Sequence, residues 1–396
     1  MKKTIREFKT TYFVFNFVIT VFAGFLLPYM KHMNLSNSYI GIITAIMTVS
    51  GILGQVITGY LCDVNRTIKK IFILWEIILT ILVIIFSIVN RNLYYLVVLL
   101  FLIGFVQSAL CSLIDSWIIE KSEEIKNKFG PIRAYGSIGA GIASILFGYL
   151  TDKYGWNSIF IAYPIIMLIL IMITFKMKDV NKNLKNAEEK KCAQNKITME
   201  DIKLLFSNTR YVYLIFIFLI LYMSLKVITM FSVLNIKSIS EENWYFGVYT
   251  FITAFSEIPI FIYSPKIMKK VNSYYLLIFA SLFFIIRIIM VATSRNVYTI
   301  IASGIFHMTT FSFIALSSKY LIDEVSPENL KTTSQMVAMA IYLSLGDSIS
   351  SLISGIMSDF IGTSNTLFVF CGLCVIAFIM SIRYNKKYNC IKVRSE

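Results

Sequence analysis

Twelve apolar stretches, each long enough to cross a lipid bilayer, dominate this chain of 396 residues. A membrane-spanning helix needs about 20 mostly apolar residues, and the chain is 57% hydrophobic with a mean hydropathy of +0.73. The alternating pattern of about 10 residues that marks a membrane β-barrel does not occur in it. We therefore predict an all-α, polytopic membrane protein. The predicted spans cover residues 11–30, 38–62, 71–89, 93–119, 132–151, 157–175, 211–235, 244–265, 273–294, 297–318, 332–358 and 364–382.

Positive charge is distributed unevenly between the loops on the two sides of these spans. With the N-terminus placed in the cytoplasm, 29 of the 37 Lys and Arg residues fall in cytoplasmic segments, 5 in the opposite loops and 3 inside spans. Because cytoplasmic loops carry an excess of Lys and Arg, we expect a multi-pass protein of the cell membrane with both termini in the cytoplasm. The net charge of +15 is then a topology signal, and no nucleic-acid partner is expected.

The longest polar stretch, residues 176–210, separates the first six predicted spans from the last six. Its composition, rich in Lys, Asn and Glu, is typical of a solvated linker. We therefore predict an N-terminal six-helix bundle over residues 1–178, a cytoplasmic linker over 179–208 and a C-terminal six-helix bundle over 209–396.

A short pattern recurs at the ends of corresponding spans. The second span ends in Gly59-Tyr-Leu-Cys-Asp63, the fifth in Gly148-Tyr-Leu-Thr-Asp152 and the eleventh in Gly355-Ile-Met-Ser-Asp359. In the fifth and eleventh spans a serine precedes the glycine by four residues. These spans are three or six apart, which indicates three-span units repeated four times. Nested repeats of this kind are the arrangement of the major facilitator fold.

Eight ionisable residues lie inside the apolar stretches. A charge at the middle of a bilayer costs about 2.5–3.5 kcal/mol even on the most lenient scale, so inert scaffolds avoid it and proteins that bind solutes or protons accept it. The pattern therefore indicates a transport pathway. The residues are Glu76, Asp115, Arg133, Lys226, Glu257, Arg287, His307 and Asp347.

Three motifs and one spaced pair resemble a known group of transporters. The motifs are SNSYIGII at residues 36–43, GYLCD at 59–63 and FGPIRAYGSIG at 129–139; the pair is Arg287 with His307 twenty residues later. The chain resembles major facilitator superfamily transporters of the lactose-permease and phenylpropionate-permease type. The third motif matches the FG-x-x-R-x-x-G-x-x-G pattern that opens the fifth span in that group.

The resemblance implies a secondary transporter that works by alternating access between two six-helix bundles. It further implies uptake of a small polar organic solute, sugar-like or an organic acid, by proton symport. We expect a monomer in the lipid bilayer that has the solute and protons as partners and needs no cofactor.

The resemblance assigns substrate binding to Asp115 and Arg133, with Asn16 on the first span lining the same cavity. A carboxylate accepts hydrogen bonds and an arginine offers a rigid fork of donors, so together they suit a polyol or an acidic group. A structural ion pair is the alternative. The group's aromatic platform for galactosides is Ala140 here, so lactose is not the expected substrate.

Proton coupling is assigned by the same resemblance to Glu257, Arg287 and His307. A carboxylate that alternates between an apolar site and one beside an arginine takes up and releases a proton. The position of the group's proton-carrying glutamate is Thr310 here, and a threonine carries no proton near neutral pH. Either Glu257 or Asp115 then carries the proton, or transport is not proton-coupled.

Two further sets of residues are structural candidates. Lys226 and Asp347 have opposite charges on the seventh and eleventh spans, and pairing would neutralise both in the membrane. Gly59 and Asp63 match part of the motif at the superfamily's inner gate. Glu76 matches no position to which the resemblance gives a role.

The sequence also excludes several classes of function. It contains no phosphate-binding loop or kinase motif, so neither an ATP-driven pump nor another enzyme is expected. With only two histidines, a histidine-rich metal site is excluded. Two alternatives to uptake remain: proton-coupled export of an amphipathic compound, and a membrane sensor or scaffold that moves no solute. The fifth span lacks the GPxxGG signature associated with exporters of that kind.

Overall fold

The computed structural model describes residues 2–89, 93–126, 128–180 and 199–393. These residues contain helices and no strand, and twelve helices are long and apolar enough to cross a membrane. The predictions of an all-α chain and of twelve spans are confirmed. The spans, named α1 to α12, are Lys2–His32, Asn37–Asn65, Lys69–Val89, Leu93–Lys121, Phe129–Tyr154, Asn157–Lys176, Thr209–Ile239, Asn243–Ser264, Ser273–Ala292, Val297–Val325, Thr333–Ile361 and Thr363–Tyr388.

Several helices extend beyond the apolar part of the span. The helix of α8 continues to Lys270 and that of α12 to Val393. The polar residues at these ends continue the helical backbone beyond the apolar stretch. Among the described residues, three short helices lie outside the spans, at Glu123–Lys126, Met199–Ser207 and, as a 3-10 turn, Glu328–Leu330.

The chain divides into two compact units. The first contains Met1–Asn34, Ile43–Asn195 and Glu242–Phe255. In it α1 packs mainly along α5, and α3 packs against α4 and α6. Aromatic side chains fill the core, where the ring of Phe22 meets Phe86 edge to face at 5.3 Å and Tyr163 at 5.8 Å. Such aromatic pairs add about 0.5–1.5 kcal/mol to the energy of burial.

The second unit contains Leu35–Ile42, Lys196–Glu241 and Ser256–Glu396. Here α9 packs along α12, and α7 contacts both α11 and α12. A side chain caps the start of α7, because Asn208 accepts a hydrogen bond from the backbone N–H of Arg210 at 3.0 Å. Its amide donates to the carbonyl of Val325 at the end of α10.

Within the first unit, α5 and the start of α8 cross with almost no side chain between their backbones. A Cβ atom on Gly247 would lie 2.3 Å from the carbonyl oxygen of Ser144, and one on Gly148 would lie 3.0 Å from that of Asn243. One turn further along α5, Asp152 accepts hydrogen bonds from the N–H groups of Asn243, at 2.7 Å, and its neighbour in the chain, at 2.8 Å. These are orphan donors of the first helical turn.

Within the second unit, α11 and the start of α2 cross in the same way. A Cβ atom on Gly355 would lie 2.6 Å from the carbonyl oxygen of Asn37, and one on Gly41 would lie 2.4 Å from that of Ser351. The carboxylate of Asp359 accepts from the N–H of Asn37 at 3.1 Å and from the next N–H at 2.8 Å.

The two crossings share one sequence pattern. Ser-x-x-x-Gly-x-x-x-Asp on α5 or α11 meets Asn-x-x-x-Gly on α8 or α2. The glycines remove the Cβ atoms that would hold the helices apart, and the carboxylate lies at the positive end of the partner helix dipole. This explains the Gly and Asp repeat found in the sequence at the ends of α5 and α11. At the end of α2, by contrast, Gly59 has no atom near its missing Cβ.

A third carboxylate joins the end of α6 to the start of α3 in the first unit. Asp179 accepts from the Thr67 hydroxyl and from the backbone N–H groups of Lys69, at 3.1 Å, and Val180, at 2.7 Å. Burial alone would raise the pKa of Asp179, but these hydrogen bonds outweigh it and lower the pKa below its ordinary value. The group is therefore an ionised helix cap.

Replacing Gly247 by alanine should destabilise the first unit. The new methyl group would overlap the backbone carbonyl of Ser144, which cannot rotate away, and overpacking of this kind costs about 1–3 kcal/mol. We expect a lower thermal unfolding midpoint for Gly247→Ala in detergent. Gly372→Ala is the control, since no atom lies within 4 Å of that missing Cβ. Equal midpoints for the two variants would contradict the proposed contact.

Candidate functional site

The first unit contains a polar cluster between α1 and α4. The hydroxyl of Tyr12 donates to Asp115 Oδ1, and the amide of Asn16, one turn later on α1, donates to the carbonyl of Tyr12 at 2.9 Å. The Tyr12 side chain is buried, whereas Asn16 and Asp115 are partly exposed. The sequence analysis singled out Asn16 and Asp115 but missed Tyr12. Its position four residues before Asn16, on the same helix face, was the available signal.

Arg133, which was predicted to bind the solute together with Asp115, lies near this cluster. Its charge acts on the carboxylate of Asp115, but among the residues that the structure describes no ion pair joins the two side chains. Arg133 is exposed, so its five donors can reach a solute. Cys111, one turn before Asp115 on α4, is also exposed.

The glycine-rich motif at the start of α5 has a packing role beside this cluster. A Cβ atom on Gly136 would lie 2.6 Å from the Asn16 amide nitrogen and 2.8 Å from the Tyr12 ring. One turn further, a Cβ atom on Gly139 would lie 2.2 Å from the carbonyl of Phe13. The motif therefore allows α1 to bring its polar side chains close to α5.

The second unit contains a cluster around His307 on α10. Arg287 on α9 is fully buried, and its Nη1 atom lies 3.1 Å from His307 Nδ1 and 3.0 Å from the Thr310 hydroxyl. His307 Nε2 lies 3.9 Å from Glu257 Oε2 on α8, and its ring stacks on Phe311 at 5.1 Å. The three predicted coupling residues thus lie together.

The arginine determines which nitrogen of His307 carries hydrogen. A guanidinium group has only donors, so Nδ1 of His307 must accept from Arg287. The ring proton then lies on Nε2, which points toward Glu257. Thr310 accepts from the same guanidinium atom and donates to the carbonyl of Phe306 at 2.9 Å. Thr310 therefore accepts from one of the arginine's donors without adding a charge. An acid at this position would have placed a negative charge beside the guanidinium group.

Lys226 on α7 and Asp347 on α11 also lie close together. Their charged groups are 3.9 Å apart, and the two side chains are 28% and 32% exposed. Each charge reduces the cost of placing the other inside a membrane span.

The remaining predicted residues lie elsewhere. Gly59 and Asp63 are exposed at the end of α2, away from the close helix crossings. Glu76 on α3 is fully buried and belongs to neither cluster.

Three spans contain π-helical turns next to the predicted residues. They lie at Thr20–Gly24 in α1, Met308–Ser312 in α10 and Ala340–Leu345 in α11. The first follows Asn16 by one turn, the second directly follows His307 and the third comes just before Asp347. Such turns are rare and occur often at functional sites. Sequence periodicity did not reveal them, because one extra residue changes an apolar pattern too little.

Comparison with known proteins gives a consistent result. The MFS_1 like family matches residues 5–383. Maltose permease of Geobacillus stearothermophilus is 20% identical over 377 residues, covering 94% of this chain and 93% of that protein. Among solved structures, a mutant of the nucleoside transporter NupG has a TM-score of 0.82 at 16% identity, covering 96% of this chain and 99% of that one.

A D-xylose-proton symporter has a TM-score of 0.72 at 14% identity, covering 96% of this chain and 97% of that one. At these identities the structural matches establish a shared fold.

Removing one member of the Lys226 and Asp347 pair should be more harmful than removing both. Asp347→Ala leaves a lysine without its counter-charge, whereas adding Lys226→Ala removes that charge as well. We expect a coupling of about 0.5–3 kcal/mol, measured as folded protein that survives heating in detergent. The control is the more exposed pair Lys331 and Asp323, 3.8 Å apart, in which Asp323 lies in the last turn of α10 and Lys331 precedes α11. Equal losses in the single and double variants would exclude a direct pair.

Proposed function

We propose that this chain, which belongs to the MFS_1 like family of membrane transporters, imports a small polyhydroxylated solute together with a proton. The observation that carries the proposal is that the two polar clusters contain different sets of chemical groups. One offers hydroxyl, amide, carboxylate and guanidinium groups, and the other joins a carboxylate to an imidazole held by an arginine. Neither arrangement is needed to stabilise an inert membrane helix.

The first cluster suits a solute rich in hydroxyl groups. Asp115 accepts hydrogen bonds and Arg133 donates them, while Tyr12 already bonds to the carboxylate and keeps it in place. Charge-assisted hydrogen bonds are the strong ones in such a site. Sugars and nucleosides both carry suitable hydroxyls, and relatives in the comparison are named for maltose, xylose and nucleosides. We assign this chain to that chemical class of substrate.

The second cluster suits proton coupling through Glu257. Thr310 holds no proton, and His307 cannot bind a second one at Nδ1 while Arg287 donates to that atom. The carboxyl of Glu257, facing Nε2, is then the group that loads and releases the proton. His307 responds to that charge, because an ionised Glu257 attracts the Nε2–H group more strongly than a neutral one does.

The distribution of Lys and Arg supports a cell-membrane protein with both termini in the cytoplasm. In that orientation Asp152 and Asp359 lie at the outer ends of their spans, and Gly59 and Asp63 at the inner end of α2. We propose that the protein works as a monomer, since each chain contains both clusters.

Proton movement in lightly buffered, energy-depleted cells tests the proposal. Sugars, nucleosides and organic acids are added in turn, and we expect the medium to become alkaline with one class only. Asp115→Asn should weaken solute affinity about 10- to 150-fold, the effect of losing a hydrogen bond to a charged group. Glu241→Gln is the control, because it changes an exposed acid outside the spans in the same way.

A second variant separates binding from coupling. Glu257→Gln should retain solute exchange across the membrane but lose the alkaline shift, since the amide cannot release a proton. Acidification of the medium would instead indicate solute–proton exchange and would contradict symport. Silence with every class, in cells with the protein in the membrane, would favour uncoupled transport or a sensor that moves no solute.

A further inference from the structure

Glu76 is a buried acid that neither polar cluster uses. It lies on α3, faces α6, and its side chain has no exposed surface. Its Oε2 atom is 3.0 Å from the hydroxyl of Thr174 on α6, which is also fully buried. Its Oε1 atom has no hydrogen-bond partner among the residues that the structure describes. An ionised carboxylate there would have at most one hydrogen bond for its full charge.

The Thr174 hydroxyl cannot fully satisfy such a charge. It lies 3.0 Å from Glu76 Oε2 and 2.9 Å from the carbonyl oxygen of Ile171, yet a hydroxyl has one proton to donate. If Glu76 carries a proton on Oε2, both contacts are complete. The acid then donates to Thr174, and Thr174 donates to the carbonyl of Ile171.

Asp179, at the end of the same helix pair, shows what an ionised carboxyl in this unit requires. It accepts from one hydroxyl and from three backbone N–H groups, those of Ile68, Lys69 and Val180. Glu76 has none of these N–H donors. Burying an isolated charge is far more costly than burying a neutral hydrogen-bonded group.

No cation compensates Glu76 in the described part of the chain. The helices α4 and α6 pack along α3, and α1 contacts it through aromatic rings, those of Phe15 on Phe72 and Phe22 on Phe86. From α6, Tyr163 is the ionisable group that interacts with Glu76, and from α4, Cys111 reaches the same network through Tyr163. Both are acids that carry no charge in their protonated form, so neither stabilises a carboxylate.

We propose that Glu76 is a proton-binding site of the folded protein, separate from the transport clusters, in which the neutral acid links α3 to α6 through Thr174. The bound proton belongs to the structure and is not transported, because the carboxyl has no exposed surface. The inference does not depend on the proposed solute or coupling mechanism.

The direction of the pH effect follows from proton counting. At neutral pH the folded protein binds a proton at Glu76 that the unfolded chain has released into water. Stability therefore falls as the pH rises, by up to a tenfold change in the unfolding equilibrium constant per pH unit for one proton. Glu76→Gln imitates the neutral acid, since its amide donates to Thr174, and it removes this dependence.

Infrared spectroscopy of the purified wild-type protein tests the protonation state directly. The carbonyl stretch of a protonated carboxylic acid is resolved from that of a carboxylate. We expect the wild-type spectrum minus that of Glu76→Gln, at about pH 7, to contain one such band. Asp179→Asn is the matched control and should remove none. A difference spectrum without the band overturns the proposal.

Two more measurements keep the proposal testable if Glu76→Gln folds poorly. In Thr174→Val, which has nearly the same shape, the acid band should shift because its acceptor is lost; an unshifted band places the proton elsewhere and overturns the proposal. Thermal midpoints from about pH 5 to about pH 9 should fall for the wild type relative to Glu76→Gln. Parallel curves for the two proteins also overturn it. Solute-dependent proton movement should be unchanged in Glu76→Gln, because transport uses other groups.

Discussion

A bilayer provides no water for backbone N–H and C=O groups, so each must find a partner inside the protein. Regular helices meet this requirement along most of the chain, and the distinctive features appear where a helix starts or is interrupted. Asp152 and Asp359 supply acceptors to the first turns of α8 and α2. The glycines beside them bring the helices close enough for those short side chains to reach. Each of these crossings therefore provides both the close packing of two helices and the position of a carboxylate at a helix start.

Much of the fold could be predicted, because apolar length depends only on composition along the chain. All twelve spans were predicted, and the recurring Gly and Asp at span ends were noticed. What the repeat does could not be inferred, since the sequence does not say which helices cross. Gly59 and Gly148 occupy the same position in the repeated sequence pattern. Of the two, only Gly148 has the backbone of another helix close to its missing Cβ atom. The π-helical turns were also not predicted. A local change in the backbone hydrogen-bond register leaves almost no trace in the amino-acid composition.

Some contacts of the candidate site could be predicted from the sequence, and others could not for physical reasons. Lys226 lies beside Asp347 as expected for opposite charges, which have few other ways to be stabilised in a span. Asp115 and Arg133 were predicted to bind the solute, with a structural ion pair as the alternative, and the hydrogen bond from Tyr12 to Asp115 was not predicted. A tyrosine gives no signal in an apolar helix, where aromatic residues are common, so only the packing of α1 on α5 reveals it. The histidine tautomer likewise depends on a neighbour from another helix.

The π-helical turns in α1, α10 and α11 give these helices a property that a straight α-helix lacks. Each residue of an α-helix rotates the next side chain by about 100°, so a turn that contains one extra residue offsets everything beyond it. If the extra residue moves along the helix, one end rotates relative to the other while only a few hydrogen bonds exchange at a time. His307 and Asp347 border such turns. Side chains beside such a turn can thus rotate about the helix axis without loss of the hydrogen-bond pattern along the rest of the helix.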